Sequence, residues 1–456
     1  MKLIVAGAVM LALWLLNVSY NLDLFYNRGA ALYDAGWFAW LASHADAWPM
    51  TNPAAIGGNY LSIHMATLFF ASTPVLRQLA LPDALRFALL ISIWAPLLWL
   101  AFFLLLARLR LWPRIALALL LTFNGLSLAM LGFPHIEILI PSLGLLAIAL
   151  LVRARGPWSW LGFCVVLGLV LSIREDAGLH IALPLLAMAV ATGGWRNRYL
   201  AAAGLGIFAG AATLAVQKLT LPAGAEALGT VYLGHPAFAQ LSMRTVFDRL
   251  RYWLTRRAYV FVPLAMLAPG RTPAIGILVA LPWLALSLIA ANQPAGNLWD
   301  YYGFPLVFAF VWPLLLAQVA SRFRLRLQLA MGGVSTALFV VVGLLPFVGD
   351  GGSHDRAPWT HLVPPSETRI RATQAALAAV PDALLDDGAA SLALDHSEPW
   401  QNRIDLGFTE ADIARASRFI RFQTHPAYLA PRIDALQKRF PTCTPIVDTA
   451  LETCVH

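Results

Sequence analysis

Charge is scarce in this 456-residue chain: Asp, Glu, Lys and Arg make up 12% of it, whereas 59% is hydrophobic. Soluble globular proteins carry about 25% charged residues, so an ordinary water-soluble fold is excluded. Acids and histidines are missing altogether from five short connectors, RLRLWPR (108–114), RARG (153–156), GGWRNR (193–198), GRTP (270–273) and SRFRLR (321–326). Nucleotide-binding and catalytic signatures are missing too. There is no Walker-type glycine loop, no GxGxxG after a strand, no HExxH and no GxSxG. Nucleotide hydrolysis, dehydrogenation and zinc proteolysis therefore have no motif to rest on. Internal repeats and low-complexity stretches are also absent, and only three cysteines occur.

What is present is a series of apolar runs close to the ~20 residues of a membrane span, recurring to about residue 348. They predict an all-α polytopic bundle over 1–349 followed by a small soluble α/β domain over 350–456. The formal charge of +8 is not a nucleic-acid signal. Residues 1–349 hold 22 basic against 10 acidic residues, and 350–456 hold 10 against 14, so the surplus belongs to the membrane part. Arginine bias marks the cytoplasmic side. It predicts a multi-pass membrane protein, its N-terminus cytoplasmic and its C-terminal domain outside.

About eleven spans follow, near 3–20, 84–107, 114–132, 136–152, 158–173, 177–192, 199–217, 257–269, 274–291, 301–320 and 327–347. The segment 257–269, short and holding Pro263, is the least regular. The first 19 residues have the charge and apolar core of a signal peptide but no small-x-small cleavage site, which suits a retained signal anchor. Two outer loops are expected, 21–83 and 218–256. Within the first, 62–80 is apolar but holds Pro74 and Arg77, as suits a helix lying in the bilayer interface. Cys164 falls inside a span and is expected to be a buried packing residue. Cys443 and Cys454 are close enough in sequence that an extracytoplasmic tail permits a disulfide.

Side chains able to move protons gather at the outer turns. Asp34, in YDAGWFAW, follows the first span in an aromatic-rich segment. A half-desolvated carboxylate suits a general base near neutral pH, and the plainer reading is a loop aspartate that caps a short interfacial helix. His44, Asp46 and Asn59 share that loop, and His64 opens the interfacial stretch. His135 and Glu137 are two positions apart and converge only in a loop or first helical turn. Arg174, Glu175 and Asp176 precede a helix, where carboxylates also favour the N-terminal dipole. Asp300, Tyr301 and Tyr302 open another span. The basic loop 218–256 offers Lys218, Arg244, Arg249, Arg251 and Arg256, suited to a phosphate or equally to anionic lipid headgroups.

In order along the chain, YDAGWFAWL, NYLSIHM, FPHIEILIPSLGLLAIALL, SIREDAGLHIALPLL and WDYYGFPLVFAF resemble a bacterial family of uncharacterised polytopic membrane proteins, placed near the GT-C membrane glycosyltransferases. The resemblance spans roughly 20–320. It implies recurring positions at Asp34, His64, His135, Glu137, Glu175, Asp176 and Tyr302. It also implies transfer of a sugar from a polyprenyl-phosphate carrier to an extracytoplasmic acceptor, with Asp34 as the acidic residue of the first outer loop. Some GT-C enzymes pair two acids there with a divalent cation, Mg or Mn; here Asp34 has only the more distant Asp46.

The resulting expectation is an inverting membrane glycosyltransferase embedded in the bilayer. Asp34 is its base, and His64, His135, Glu137, Arg174, Glu175, Asp176, Tyr302 and Arg251 bind substrate. The alternative is a proton-coupled transporter or lipid flippase, against which stand the missing repeat and the placing of the acids at one interface.

Overall fold

A computed structural model describes residues 2–29, 32–45, 50, 59–131, 134–154, 156–191, 197–220, 229, 232–268, 271–298, 300–318, 323–344, 363–378, 382–394, 401, 408–424 and 430–456. Its first helix, α1 (Lys2–Tyr26), is followed by a shorter helix, α2 (Leu32–His44), and then α3 (Leu68–Leu76). At nine residues α3 is far too short to cross a bilayer at 1.5 Å per residue. Its Leu68, Phe69 and Thr73 are buried, and α3 packs against α2.

The bundle continues through α4 (Asp83–Ile91), α5 (Trp94–Leu105), α6 (Leu111–Thr122), α7 (Gly125–Met130), α8 (Leu139–Arg153), α9 (Pro157–Leu171), α10 (Ala177–Ala191) and α11 (Asn197–Thr220). Then come α12 (Met243–Arg256), α13 (Ala258–Ala265), α14 (Arg271–Ile289), α15 (Gln293–Gly296), α16 (Val307–Phe310), α17 (Trp312–Ala317) and α18 (Phe323–Leu344). Among the described residues, five helical stretches have the length and apolarity of a span: Leu3–Tyr26, Asp83–Leu105, Ile136–Arg153, Arg198–Leu219 and Leu325–Val342. Five shorter apolar helices accompany them. The segment expected at 257–269 forms only the eight-residue α13, entered through the buried Arg257. Eight residues rise about 12 Å, under half the ~30 Å hydrocarbon core. Span 301–320 is also broken, into a 3-10 stretch at Asp300–Leu306 and the short α16 and α17. Pro305 and Pro313, which remove backbone donors, fall at its breaks.

Central helices bury nearly every side chain. α8 runs buried from Leu139 to Ala149 against α5, and the side chains of Trp94, Trp99 and Trp312 fill the middle. Peripheral helices instead expose apolar faces, including Leu11 and Leu15 of α1, Val165 of α9 and Phe208 of α11. Apolar patches of that extent need an apolar solvent, which the bilayer supplies. Cys164 belongs to such a face. It is exposed on α9 rather than buried, because it lies beside Val165 on the outward side of that helix.

The C-terminal part forms a four-stranded sheet in the order β1-β2-β4-β3, with β1 Ala383–Leu385, β2 Arg418–Phe422, β3 Thr442–Pro445 and β4 Leu451–Val455. β1 and β2 are parallel and the other pairs antiparallel. A parallel pair needs a crossover; here it carries α20 (Asp387–Leu392) and α21 (Glu410–Arg415), while α19 (Glu367–Ala378) precedes the sheet and α22 (Ala430–Gln437) joins β2 to β3. One sheet face packs Phe419 on Ile433, Leu436 and Phe440, and the other packs Ile420 and Phe422 on Leu377 and Ala390. Cys443 and Cys454, paired in register across β3 and β4, are joined by a disulfide.

This domain docks on one end of the bundle through close backbone approach. A Cβ on Gly36 of α2 would fall 2.6 Å from the Ser391 Cα, and one on Gly388 would fall 2.5 Å from the Gly29 Cα. Gly29 also has φ +56°, which favours glycine. Beside this contact Arg369 donates to Asn27 at 2.7 Å, and Asn27 donates to Asp23, also at 2.7 Å.

Asp386 anchors the sheet to α20. Its buried carboxylate accepts from Ala389 N and Phe422 N, both at 2.7 Å. Burial nevertheless outweighs those bonds and pushes its pKa up to about 6. With the folded value above the ordinary carboxylate value of about 4, the associated stability is fully present below pH ~4 and is lost as pH rises through ~6. Protection against hydrogen exchange at 383–392 and 418–422, taken relative to the intrinsic base-catalysed rate, is therefore expected to fall between pH 4 and pH 7. Asp386→Asn, which loses one accepted bond, should be less protected throughout but without that fall; an unchanged pH dependence of protection would remove Asp386 as its source.

Candidate active site

The polar cluster is built on turns between helices, where short connectors must satisfy their own backbone groups. Ser172 caps α9 through its backbone N–H. The chain then turns through Arg174-Glu175-Asp176 into α10, with Ala177 N bonded to Arg174 O. Instead of capping α10 at its own turn, Glu175 reaches back to the first outer loop. It accepts from Met65 N at 3.0 Å and pairs with His64 Nδ1, also at 3.0 Å. Leu68 N bonds to Ser172 O at 2.8 Å, so residues 64–68 are stitched along the turn after α9. From α11, the Gln217 amide donates to Leu61 O and Ile63 O at 3.2 and 3.1 Å. Asn59 caps the same segment by accepting from Leu61 N.

Arg174 occupies the centre. Its Nη1 donates to Glu137 Oε1 at 3.0 Å, and its Nε lies 2.9 Å from Asp176 Oδ1 and 3.6 Å from Glu175 Oε1. Glu137 comes from the 3-10 turn Ile136–Ile138 and also pairs with His135 Nδ1. The two are brought together by that turn, as their spacing predicted. Asp176 in turn pairs with His180 Nε2 at 3.3 Å, and the His180 ring stacks on Trp283. Glu137 is 1% exposed and Glu175 2%, so these are charges held away from bulk water.

Such a cluster survives only because its charges answer one another. Burial opposes the Arg174 charge, but Asp176 and Glu175 outweigh it and hold the guanidinium above its ordinary pKa. Burial likewise pushes Asp176 and Glu175 up, and Arg174 with His180 or His64 pulls both below the usual carboxylate range. Burial, then His64 and Arg174, drives His135 well below the usual histidine value, so its ring stays neutral. Carboxylates lowered in this way contribute stability above their ordinary pKa and lose it as pH falls through the folded one.

Asp34 stands half-buried on α2, and its charge is felt at Tyr60. Tyr60, fully buried, has its pKa raised first by burial and then by Asp34 and Glu175, so both carboxylates bear on one phenol. Phe38, one turn beyond Asp34, sets its ring edge-on to His135 with centroids 4.6 Å apart, and it also meets Tyr60. Tyr302 lies half-buried in the 3-10 stretch Asp300–Leu306, which packs beside the turn carrying Glu137.

The basic loop behaves differently. Arg251 is exposed on α12, which packs on α13 and α14, and no ion pair joins it to the cluster among the described residues. Arg249 turns inward to the carbonyls of Leu288 and Ala290, and Arg257 is buried among Tyr252, Tyr259 and Asn297. Lys218, directly after Gln217, is exposed at the end of α11. His44 is stacked on Trp40 and lies 3.9 Å from Asp83. Asp46 and the side chains of Tyr33, Asp300 and Tyr301 lie outside the described residues. Tyr60, His180, Gln217 and Tyr232, which bonds to Arg174, were not singled out in the sequence. The first two do stand inside the quoted motifs NYLSIHM and SIREDAGLHIALPLL.

Asp46, the acid that would share a divalent cation with Asp34, lies outside the described residues. Glu137, Glu175 and Asp176 already face Arg174 or a histidine. Among the described residues, three potential ligand atoms converge only at Cys443, Glu452 and Cys454, where the sulfurs are tied in the disulfide.

No family model matches the chain, and no curated protein matches it. A solved structure does: ArnT from Cupriavidus metallidurans bound to undecaprenyl phosphate, at 12% identity, TM-score 0.50, covering 99% of this chain and 97% of that one. The chain thus has a GT-C-like fold along almost its whole length.

Removing one partner of a buried charge cluster costs about 3–5 kcal/mol, because the others are left uncompensated. Arg174→Met is expected to lower thermal stability in nanodiscs accordingly, and Glu137→Gln to lower it less. An Arg174→Met protein that melts with the native one would show that the guanidinium does not hold these turns together.

Proposed function

We propose that this protein is a membrane glycosyltransferase that moves a sugar from a polyprenyl-phosphate carrier to an acceptor hydroxyl. The observation that carries the reading is the likeness, over 99% of the chain, to a structure bound to undecaprenyl phosphate. Supporting it, Asp34 stands on the first outer helix, beside a buried cluster whose charges are fixed in advance. Preorganised charge of this kind stabilises developing charge without reorganising during the reaction.

In the proposed reaction Asp34 takes the acceptor O–H proton as that oxygen attacks the anomeric carbon from the face opposite the carrier. The bond from the anomeric carbon to the phosphate oxygen breaks, and its electron pair leaves with the phosphate, inverting the centre. Phosphate is already a good leaving group, so no second carboxyl need protonate it, in contrast to glycoside hydrolysis. Arg174 supplies fixed positive charge near the departing phosphate, with His64, His135, Glu137, Glu175, Asp176 and Tyr302 orienting carrier or acceptor. Arg251 would act only on the carrier's phosphate at the bilayer surface. The cytoplasmic membrane, with the C-terminal domain on its outer side, is the setting proposed; the Cys443–Cys454 disulfide suits an oxidising compartment.

Purified protein given a polyprenyl-phosphate sugar and an acceptor fraction from the cell envelope is expected to release polyprenyl phosphate. General-base catalysis contributes about 10²–10⁴-fold, so Asp34→Asn should reduce release by at least ~100-fold with an unchanged melting temperature. Full turnover by a folded Asp34→Asn protein would remove the proposed base.

A further inference from the structure

Where the C-terminal domain meets the bundle, the two surfaces enclose a cavity of about 470 Å³. Its walls come from the end of α1, from α2, from the start of α4, and from α19 and α20 with the chain just beyond. It is not the cluster around Arg174. α2 presents Phe38 to His135 on one side, while Gly36, Ala39 and Trp40 line this cavity on the other. Small-molecule sites measure about 300–1,000 Å³ and favour domain interfaces.

The lining indicates what would fit. Trp40 offers an indole braced on its other face by His44, ring centroids 4.3 Å apart. Tyr26, Asp83, Gln374 and Ser391 add a phenol, a carboxylate, an amide and a hydroxyl. Tyr26 and Ser391 are nearly buried, the Ser391 hydroxyl donating to Gly388 O at 2.7 Å. An acyl chain would, however, strip water from Asp83 and Gln374 without replacing its hydrogen bonds, which is costly. A strongly charged ligand gains little, because Asp83 is matched by Arg86 at 3.0 Å. The Asp83 carboxylate, which also accepts from the Ser43 hydroxyl, is held by these contacts as a fixed acceptor at the cavity wall. The space itself exists because Ala39, Ala84, Ala375 and Ala378 stand where larger side chains would fill it.

We propose that this seam cavity binds a neutral, hydroxyl-bearing sugar ring, stacked on Trp40 and bonded to Asp83 and Gln374. Its role as the dock for the acceptor glycan rests on the transferase reading. The α2 helix separating it from the cluster is about 10–12 Å across. A ring held in the seam therefore leaves the next ring of the same glycan to reach Asp34 around the helix end.

The test uses full-length protein in nanodiscs, with lactose, glucosamine and glucuronate as probes in saturation-transfer NMR. Lactose is expected to bind, and the two charged sugars at least tenfold more weakly. Ala378→Trp and Ala375→Trp fill the cavity from exposed positions of α19 and are expected to weaken lactose at least tenfold without lowering the melting temperature. Gln374→Leu should weaken it severalfold. Lactose binding unaffected by both tryptophans, tighter binding of a charged sugar, or no binding of lactose would each overturn the proposal. A lactosyl lipid placed in the nanodisc separates a bilayer-borne glycan from a soluble one, and binding of either supports the cavity. Asp34→Asn is expected to leave lactose binding within twofold, so a chain that transfers nothing yet binds lactose loses the acceptor role and keeps the site.

Discussion

Arg174 is the constraint from which the outer architecture follows. A guanidinium carries five donors in a rigid plane, and here that plane faces acids delivered by the turn before α8 and by its own turn before α10. Through Glu175 it reaches His64 and Met65, and so fixes the re-entry of the first outer loop. A buried ion pair is rarely a net gain over well-packed apolar side chains. Keeping one here trades stability for a set of charged groups held at defined separations, which serves chemistry better than it serves folding.

The C-terminal domain is joined to this arrangement by shape more than by charge. Glycines at 29, 36 and 388 let backbones meet where side chains would hold them apart. α2 is thereby gripped from two sides, by the polar cluster through Phe38 and by α20 through Gly36. The helix that carries Asp34 is thus shared between the bundle and the domain, and the geometry of either bears on the other.

Much of this was legible in the sequence, for identifiable reasons. Spans follow from hydropathy, because lipid leaves the backbone little choice but helix. Asp34, His64, His135, Glu137, Glu175 and Asp176 could be singled out because ionisable groups are rare in such a chain and stand out at helix ends. Their partners could not. His180 lies within an apolar helix, and its surroundings arise only when Trp283 comes over from α14. Gln217 and Tyr232 gain meaning solely from contacts more than fifty residues away along the chain. Arg249 looked like a phosphate ligand, yet it closes the carbonyl end of α14, a need that appears only once that helix stops at Ile289. The outward face of Cys164 and the breaks after Asp300 are likewise decided by neighbours, not by local pattern.

Phe38 illustrates a practical consequence. Its ring, 1% exposed, touches His135, Tyr60, Phe69 and Phe87, so four separate segments of the chain meet on one apolar side chain. It sits one turn from Asp34 on the same short helix, and nothing else about it suggests chemistry. On the proposed reading of Asp34 as the base, changes at this phenylalanine would be indistinguishable by phenotype, in a genetic screen for inactive alleles, from changes at the carboxylate itself. Only a comparison of protein abundance with specific activity would tell the hinge pin from the blade.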